Sequence, residues 1–175
     1  MILKPIITAD LARDALDYDT STGLFTWKYR PGRNATWNAR YSGKVAGYNS
    51  PRGNVTYRAM SLENYPILSH QVAFLIMTGE CPAVIDHIDG NGTNNAWANL
   101  RAADKIMNGA NSRKRKNNTS GFKGVCFNKK LNKWRSSIYF HGKHIALGHH
   151  NTAEEAHAAY MLKAHELFGE FARAA

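Results

Sequence analysis

The sequence predicts an α+β protein of two modules, and three observations predict it. A β-branched run, Val84–His87, breaks into a stretch of turn formers, and a return strand and a capped helix follow. Further on, Trp134-Arg135-Ser136-Ser137-Ile138-Tyr139-Phe140 alternates strictly, as a strand buried on one face does. Thr152-Ala153-Glu154-Glu155 then reads as a capping box opening a helix. A hairpin-and-helix module is thus followed by a three-stranded antiparallel sheet packed on one helix.

The elements follow in order. Residues 10–18 read as a helix with Leu11, Ala15 and Leu16 as its apolar stripe. Tyr18-Asp19-Thr20-Ser21-Thr22-Gly23 is a turn leading into a Phe25-Thr26-Trp27 strand, and Trp27 and Trp37 read as core packing rather than base-stacking groups. Residues 45–48 and 55–62 are two more strands, and 69–78 a helix carrying the apolar run Val72-Ala73-Phe74-Leu75-Ile76-Met77. Val84–His87 ends at Asp89, Gly90, Asn91, Gly92, Asn94 and Asn95, and residues 100–102 return. Asp104 is an N-cap for a helix through Ile106, Met107, Asn108 and Asn111. Residues 124–127, 134–140 and 143–148 form the later sheet, with His141-Gly142 as a turn. On its middle strand Trp134, Ser136, Ile138 and Phe140 share one face and Arg135, Ser137 and Tyr139 the other. The last helix ends at Phe168 before Gly169, with Ala156, Ala159, Tyr160 and Leu167 as a narrow stripe.

Charge adds a partner and a boundary. The chain has 175 residues, 23 Lys+Arg against 13 Asp+Glu, and a net charge of +10, which suits a polyanion: nucleic acid or an acidic membrane. The longest apolar run, Val72 to Met77, is far short of the roughly 20 residues a spanning helix needs. Met1-Ile2-Leu3-Lys4-Pro5 lacks a signal-peptide core, and Cys81 and Cys126 form no C-x-x-C pair, so a cytoplasmic, reducing compartment is expected. Residues 1–112 carry 11 basic and 9 acidic side chains (net +2), and residues 113–175 carry 12 and 4 (net +8). The switch falls at Arg113-Lys114-Arg115-Lys116-Asn117-Asn118-Thr119, either a solvated charge run or a linker that tracks phosphates. The expected organisation is 1–112, a basic linker 113–119, and 120–175. Arg30, Arg33, Arg40, Arg52 and Arg58 can extend a nucleic-acid footprint.

The chemistry concentrates at Asp86-His87-Ile88-Asp89-Gly90-Asn91, Asn99-Leu100-Arg101 and Asn108. Hydrolysing a phosphodiester calls for a cation against the phosphate charge and a base for water. Asp86 is a hard oxygen ligand suited to Mg²⁺ or Mn²⁺, and His87 can be the base. Taken singly, Asp-Gly and Asn-Gly loops are ordinary turns, Asn99 can simply bridge a loop backbone, and His70 is a structural histidine. Asn111, three residues past Asn108, shares its helix face and is the rival ligand. The combination points to a one-metal nuclease site.

On those residues, positions 69–111 resemble the HNH endonuclease family, in its homing and phage-encoded branch. The resemblance implies a ββα-metal (His-Me finger) module in which Asp86 and Asn108 hold one divalent cation, Mg²⁺ with Mn²⁺ able to substitute. It implies that His87 is the general base and that Asn99 braces the loop. It further implies double-stranded DNA as substrate, 5′-phosphate and 3′-hydroxyl products, and a free-standing or intron-encoded mobile element in a phage or bacterium. The turn before Phe25-Thr26-Trp27 recurs in front of phage HNH motifs, which places it with the nuclease.

A second resemblance covers residues 118–172. Gly121-Phe122-Lys123-Gly124-Val125, Lys133-Trp134, Leu147-Gly148, the Thr152-Ala153-Glu154-Glu155-Ala156 helix start with Ala159-Tyr160, and Gly169-Glu170-Phe171-Ala172 are similar to the DNA-binding domain of plant Apetala-two and ethylene-response-factor proteins. This implies a sheet face in the major groove, with Lys123, Asn128, Arg135, Ser137, Tyr139 and His144 toward DNA and Lys129, Lys130 and Lys133 on phosphates. Cys126, Asn128, Tyr139 and His144 stand where that family has arginines, so its guanine-rich target does not carry over. His141, His144, His149 and His150 invite a metal reading, but polar hairpin positions explain them more simply.

Two competing classes are a non-cleaving DNA-binding regulator with a decayed nuclease site and an RNA-binding protein. Asp86, His87, Asn99 and Asn108 are all present against the first. Against the second, only Tyr139 offers a stacking aromatic on the open sheet face. No dimer signature and no obligate protein partner stand out.

Overall fold

The computed structural model describes residues 7–112, 114 and 117–174, and its packing separates Met1–Ala103 from Asp104–Ala175. In the first unit, Thr8 caps α1 (Ala9–Ala15) by accepting the Leu11 N–H. The helix stops at Ala15, short of the expected residue 18, because Leu16–Tyr18 leaves it as β1 and pairs with β2 (Phe25–Trp27). The Tyr18 and Phe25 rings stack at 4.6 Å across that ladder, a contact a continued helix would forfeit. A further helix that the sequence pattern does not show, α2 (Ala35–Tyr41), is capped by Asn34, and its Trp37 packs edge-on against Trp27.

Next come β3 (Tyr48–Arg52), β4 (Val55–Leu62) and β5 (Tyr65–Leu68), an antiparallel sheet in the order β3-β4-β5. Both edge strands carry a proline, Pro51 in β3 and Pro66 in β5, which has no N–H to give a ladder; the central β4 has none. It starts at Tyr48, so the expected strand at 45–48 reduces to a single bridge between Val45 and Thr26. Helix α3 (Ser69–Thr78) ends at Gly79 in the left-handed conformation. It buries Val72, Ala73 and Phe74 in a core shared with Ala12, Leu16, Phe25, Met60, Leu62 and Leu100. The hairpin β6 (Val84–His87) and β7 (Leu100–Ala103) closes the unit.

The second unit begins with α4 (Lys105–Ala110), whose first turn is closed by the Asp104 carboxylate accepting from Ile106 and Met107 N–H. The expected boundary at 112–119 would place this helix with the nuclease module. Its apolar side, however, joins Ile106, Met107 and Ala110 to Tyr160, Ala164 and Phe168 of the second core. Strands β8 (Val125–Asn128), β9 (Lys133–Phe140) and β10 (Lys143–His150) form an antiparallel sheet with β9 in the centre. Against it lies α5 (Ala153–Phe168), opened by the reciprocal Thr152–Glu155 capping box. Its buried stripe is Ala153, Ala156, Tyr160, Ala164 and Phe168; Ala159 and Leu167, expected in it, are only half-buried because the helical repeat carries the stripe past them.

Gly124 sits where a Cβ would lie 2.1 Å from the Tyr160 ring, with φ at +75°. Gly124→Ala is expected to lower stability by about 2–3 kcal/mol through overpacking and backbone strain. Thermal unfolding of the variant beside the parent chain measures it.

Candidate active site

The site residues of the first unit are placed by the β6–β7 ladder. It sets Asp86 opposite Arg101 and His87 opposite Leu100. Asp86 is 3% exposed, and its Oδ2 accepts from Arg101 Nε at 2.8 Å and meets Nη2 at 2.8 Å. A carboxylate this buried is costly without a partner, and the guanidinium supplies one. His87, 6% exposed, follows on the strand, its ring Nε2 3.3 Å from Asn95 Oδ1. Burial lowers the His87 pKa from the ordinary histidine value, opposed by the bond to Asn95 and the charges of Asp89 and Asp86.

The loop between the strands is closed by Asn99. Its Oδ1 accepts from Asp89 N–H at 3.0 Å, and its Nδ2 donates to Asp89 Oδ1 at 3.0 Å and to the Asn94 carbonyl at 2.9 Å. The Asn99 carbonyl also accepts from Ile88 N–H, directly after His87. Burial pushes the Asp89 carboxyl up, but donors from Asn91, Asn94 and Asn99 outweigh it and hold the group below its ordinary value. Gly92 lies flush on β4: a Cβ there would be 2.6 Å from the Thr56 carbonyl oxygen and 2.7 Å from the Tyr57 ring.

His70 of α3 and Tyr57 of β4 complete the surroundings. The His70 and His87 rings meet edge to face at 5.0 Å, and Tyr57 lies 5.7 Å from the first and 6.0 Å from the second. His70 Nδ1 is buried with no hydrogen-bond partner among the described residues. Burial, then His87 and Arg52, pushes its pKa down to about 3.

The structure therefore gathers Asp86, His87 and Asn99. Asn108 lies on α4 in the other unit, where it is exposed, whereas Asn111, the α4 C-cap, is buried. Sequence reasoning missed Arg101, Asn95 and Tyr57 as site residues. The signal for Arg101 was present, since the hairpin register that pairs His87 with Leu100 sets Arg101 against Asp86. Arg30 and Arg33 pair with Glu63, and Arg58 donates to the Ala46 and Gly47 carbonyls. These three guanidinium groups are thus engaged within the fold.

In the second unit, Arg113, Arg115 and Lys116 lie outside the described residues, and Lys114 Nζ donates to the Gly121 carbonyl at 2.8 Å. Lys123 does not stand on the open face. Its ammonium donates to the Ala110 and Ser112 carbonyls and so closes the end of α4, and burial lowers its pKa. Arg135, Ser137 and Tyr139 face outward on β9, with Cys126 and His149 opposite Arg135 and His144 opposite Tyr139. Asn128 accepts from Lys130 N–H and shares a 3.3 Å contact with His149. His149 reaches this face because β10 bulges between Ala146 and Gly148, which reverses the alternation and turns His150 inward to Ser136 Oγ at 3.1 Å. His144 and His149 thus share the open face, His150 lies on the other, and His141 stands in the hairpin turn.

A family model described as HNH endonuclease matches residues 68–110. An uncharacterized HNH endonuclease of Acanthamoeba polyphaga mimivirus is 32% identical over 148 residues, 69% of this chain and 75% of that protein. The chain belongs to the HNH endonuclease family. It is accordingly a DNA-cleaving hydrolase. Protein 3.8 of Escherichia phage T7 is 39% identical to this HNH nuclease over 89 residues, 51% of this chain and 73% of the phage protein. No solved structure matches. HNH nucleases generally use a divalent metal. Among the described residues, no helix is long and apolar enough to cross a membrane.

The buried histidine gives the fold a pH dependence. Folded His70 stays neutral down to about pH 3, whereas in the unfolded chain it takes a proton near the ordinary 6.5. The unfolded state thus binds more protons between these values, and stability falls as pH drops through that window. Urea midpoints are expected to fall from pH 7 to pH 4.5, and less steeply in His70→Gln.

Proposed function

We propose that this HNH nuclease cuts double-stranded DNA at preferred sites with a divalent cation, as the endonuclease of a mobile genetic element acting in the cytoplasm of a bacterial host. The observation that carries the reading is the buried Asp86–His87 pair, with a guanidinium on the aspartate and an amide on the histidine. The donor chemistry fits a metal. Asp86 offers a carboxylate oxygen and Asn108 an amide oxygen; both are hard donors. Asp86 and Asn108 would hold Mg²⁺, or Mn²⁺ in its place, and the bound ion would neutralise charge developing on the scissile phosphate.

The chain's own groups do the rest. His87 takes a proton from water at its basic ring nitrogen; the resulting hydroxide attacks phosphorus in line, the P–O3′ bond breaks, and the leaving 3′ oxygen takes a proton from solvent. The ends left are a 5′-phosphate and a 3′-hydroxyl. Asn99 keeps the loop after His87 closed, so the imidazole does not swing with a mobile segment.

The C-terminal unit supplies affinity and placement in this reading. Residues 120–175 would act as the Apetala-two-type domain, the basic stretch 113–119 as a linker over phosphates. The outward face with Asn128, Arg135, Ser137, Tyr139 and His144 would approach base edges, and Lys129, Lys130 and Lys133 the backbone.

Cleavage of supercoiled phage or plasmid DNA with Mg²⁺, Mn²⁺ or EDTA tests the reading. EDTA should abolish nicking or linearisation, and His87→Ala should slow it about 10²–10⁴-fold. A folded protein that binds the DNA without cutting under any condition would favour the regulator. If about six phosphates are contacted, log affinity should fall against log salt with a slope of about −5. A slope near zero would remove the cationic stretch from the argument.

A further inference from the structure

We infer that Asn95 is the positioning residue that fixes the tautomer of His87, making Nε2 the protonated nitrogen and Nδ1 the basic one. The inference deepens the proposed function, because it rests on His87 being the base. Its geometry stands independently of that reading.

The direction of the bond follows from the other end of the amide. Asn95 Nδ2 donates to the Thr93 carbonyl at 3.2 Å. Rotating the amide would set its oxygen against that carbonyl oxygen, two acceptors facing each other, so Oδ1 is the atom turned to His87. An amide oxygen only accepts, so the imidazole must donate, and Nε2 carries the hydrogen. In a neutral imidazole the lone pair then sits on Nδ1.

Asn95 can impose this only if it is itself immobile, and it is 1% exposed. Tyr18 Oη donates to its carbonyl at 2.7 Å. Burial, then the charge of Asp19, pushes the Tyr18 hydroxyl up to about 12, so it remains a donor across the neutral range. Trp97 N–H donates to the Thr20 carbonyl at 2.8 Å, tying the next residues to the same turn. Gly23 completes the contact: with φ at +74°, a Cβ there would lie 2.2 Å from Asn95 C and Ala96 N. The turn at residues 19–23 therefore abuts the peptide that carries Asn95. Through it, an element far from the motif in sequence orients the histidine ring.

The test is a long-range ¹H–¹⁵N spectrum of the full chain, labelled in its eight histidines and recorded at about pH 8, where imidazoles are neutral. The His87 signals are identified by their loss in His87→Gln. Expected are an Nε2–H tautomer and a ring proton protected from exchange, with protection lost in Asn95→Ala and kept in Asn95→Asp, which retains an acceptor. An Nδ1–H tautomer in the parent chain, or equal protection in Asn95→Ala, would overturn the inference. The parent measurement needs no change at Asn95, so a variant that misfolds does not remove the test.

Kinetics separate the two readings. Asn95→Ala should lower kcat about 10- to 100-fold with KM unchanged, and Asn95→Asp should recover part of it. If His87→Gln cuts as fast as the parent chain, the nuclease reading of His87 fails. The spectrum still decides the tautomer.

Discussion

One side chain, Asn99, holds the polar loop of this HNH nuclease in a single shape. Between β6 and β7 lie mostly turn formers, and apart from Trp97, whose ring packs on Phe74, hydrogen bonds must order the loop. The Asn99 amide uses both its oxygen and its nitrogen on the start and the middle of that loop, and its own carbonyl takes the N–H that follows His87. Asp89 is held from three sides in consequence, and the end of β6 cannot fray. The register that brings Arg101 to Asp86 depends on that closure.

The burial of the pair creates a second requirement. Asp86 and His87 are nearly sealed from solvent, which strengthens every electrostatic contact around them and makes an unmet one expensive. Arg101 and Asn95 meet it for these two. His70 is treated differently: its Nδ1 is buried without a partner among the described residues, and it remains neutral. Three rings at about 5 to 6 Å from one another form the wall behind the loop, and Gly92 lets the loop lie against it without a gap.

How much of this was legible depended on the range of the interaction. Strands β6, β7 and β9, helix α3, the Asp104 cap and the Thr152 capping box could be read locally, because period, β-branching and cap chemistry act within a few residues. The end of α1 could not, since it is decided by Tyr18 stacking on Phe25. Nor could α2 and β5, whose short stretches carry little period. Asp86, His87 and Asn99 stood out through the spacing of their motif, whereas Asn95 looked like one more turn former. Its contacts to Tyr18 and His87 span 77 and 8 residues, and only the first ties the motif to the N-terminal turn. The placement of Lys123 was illegible for the same reason, as its carbonyl partners, Ala110 and Ser112, lie at and just past the end of α4, more than ten residues earlier.

The bulge in β10 has an evolutionary consequence. Because it shifts the register by one residue, His149 stands opposite Arg135, where unbroken pairing would set Gly148. Were Leu147 to pair regularly with Ser136 instead, Gly148 would fall opposite Arg135, His149 would turn inward and His150 outward, with no letter of the sequence changed. Surfaces of this kind can diverge through strand register alone, without any substitution at the positions that face outward. Two copies of such a domain that look nearly identical on paper can then address different ligands.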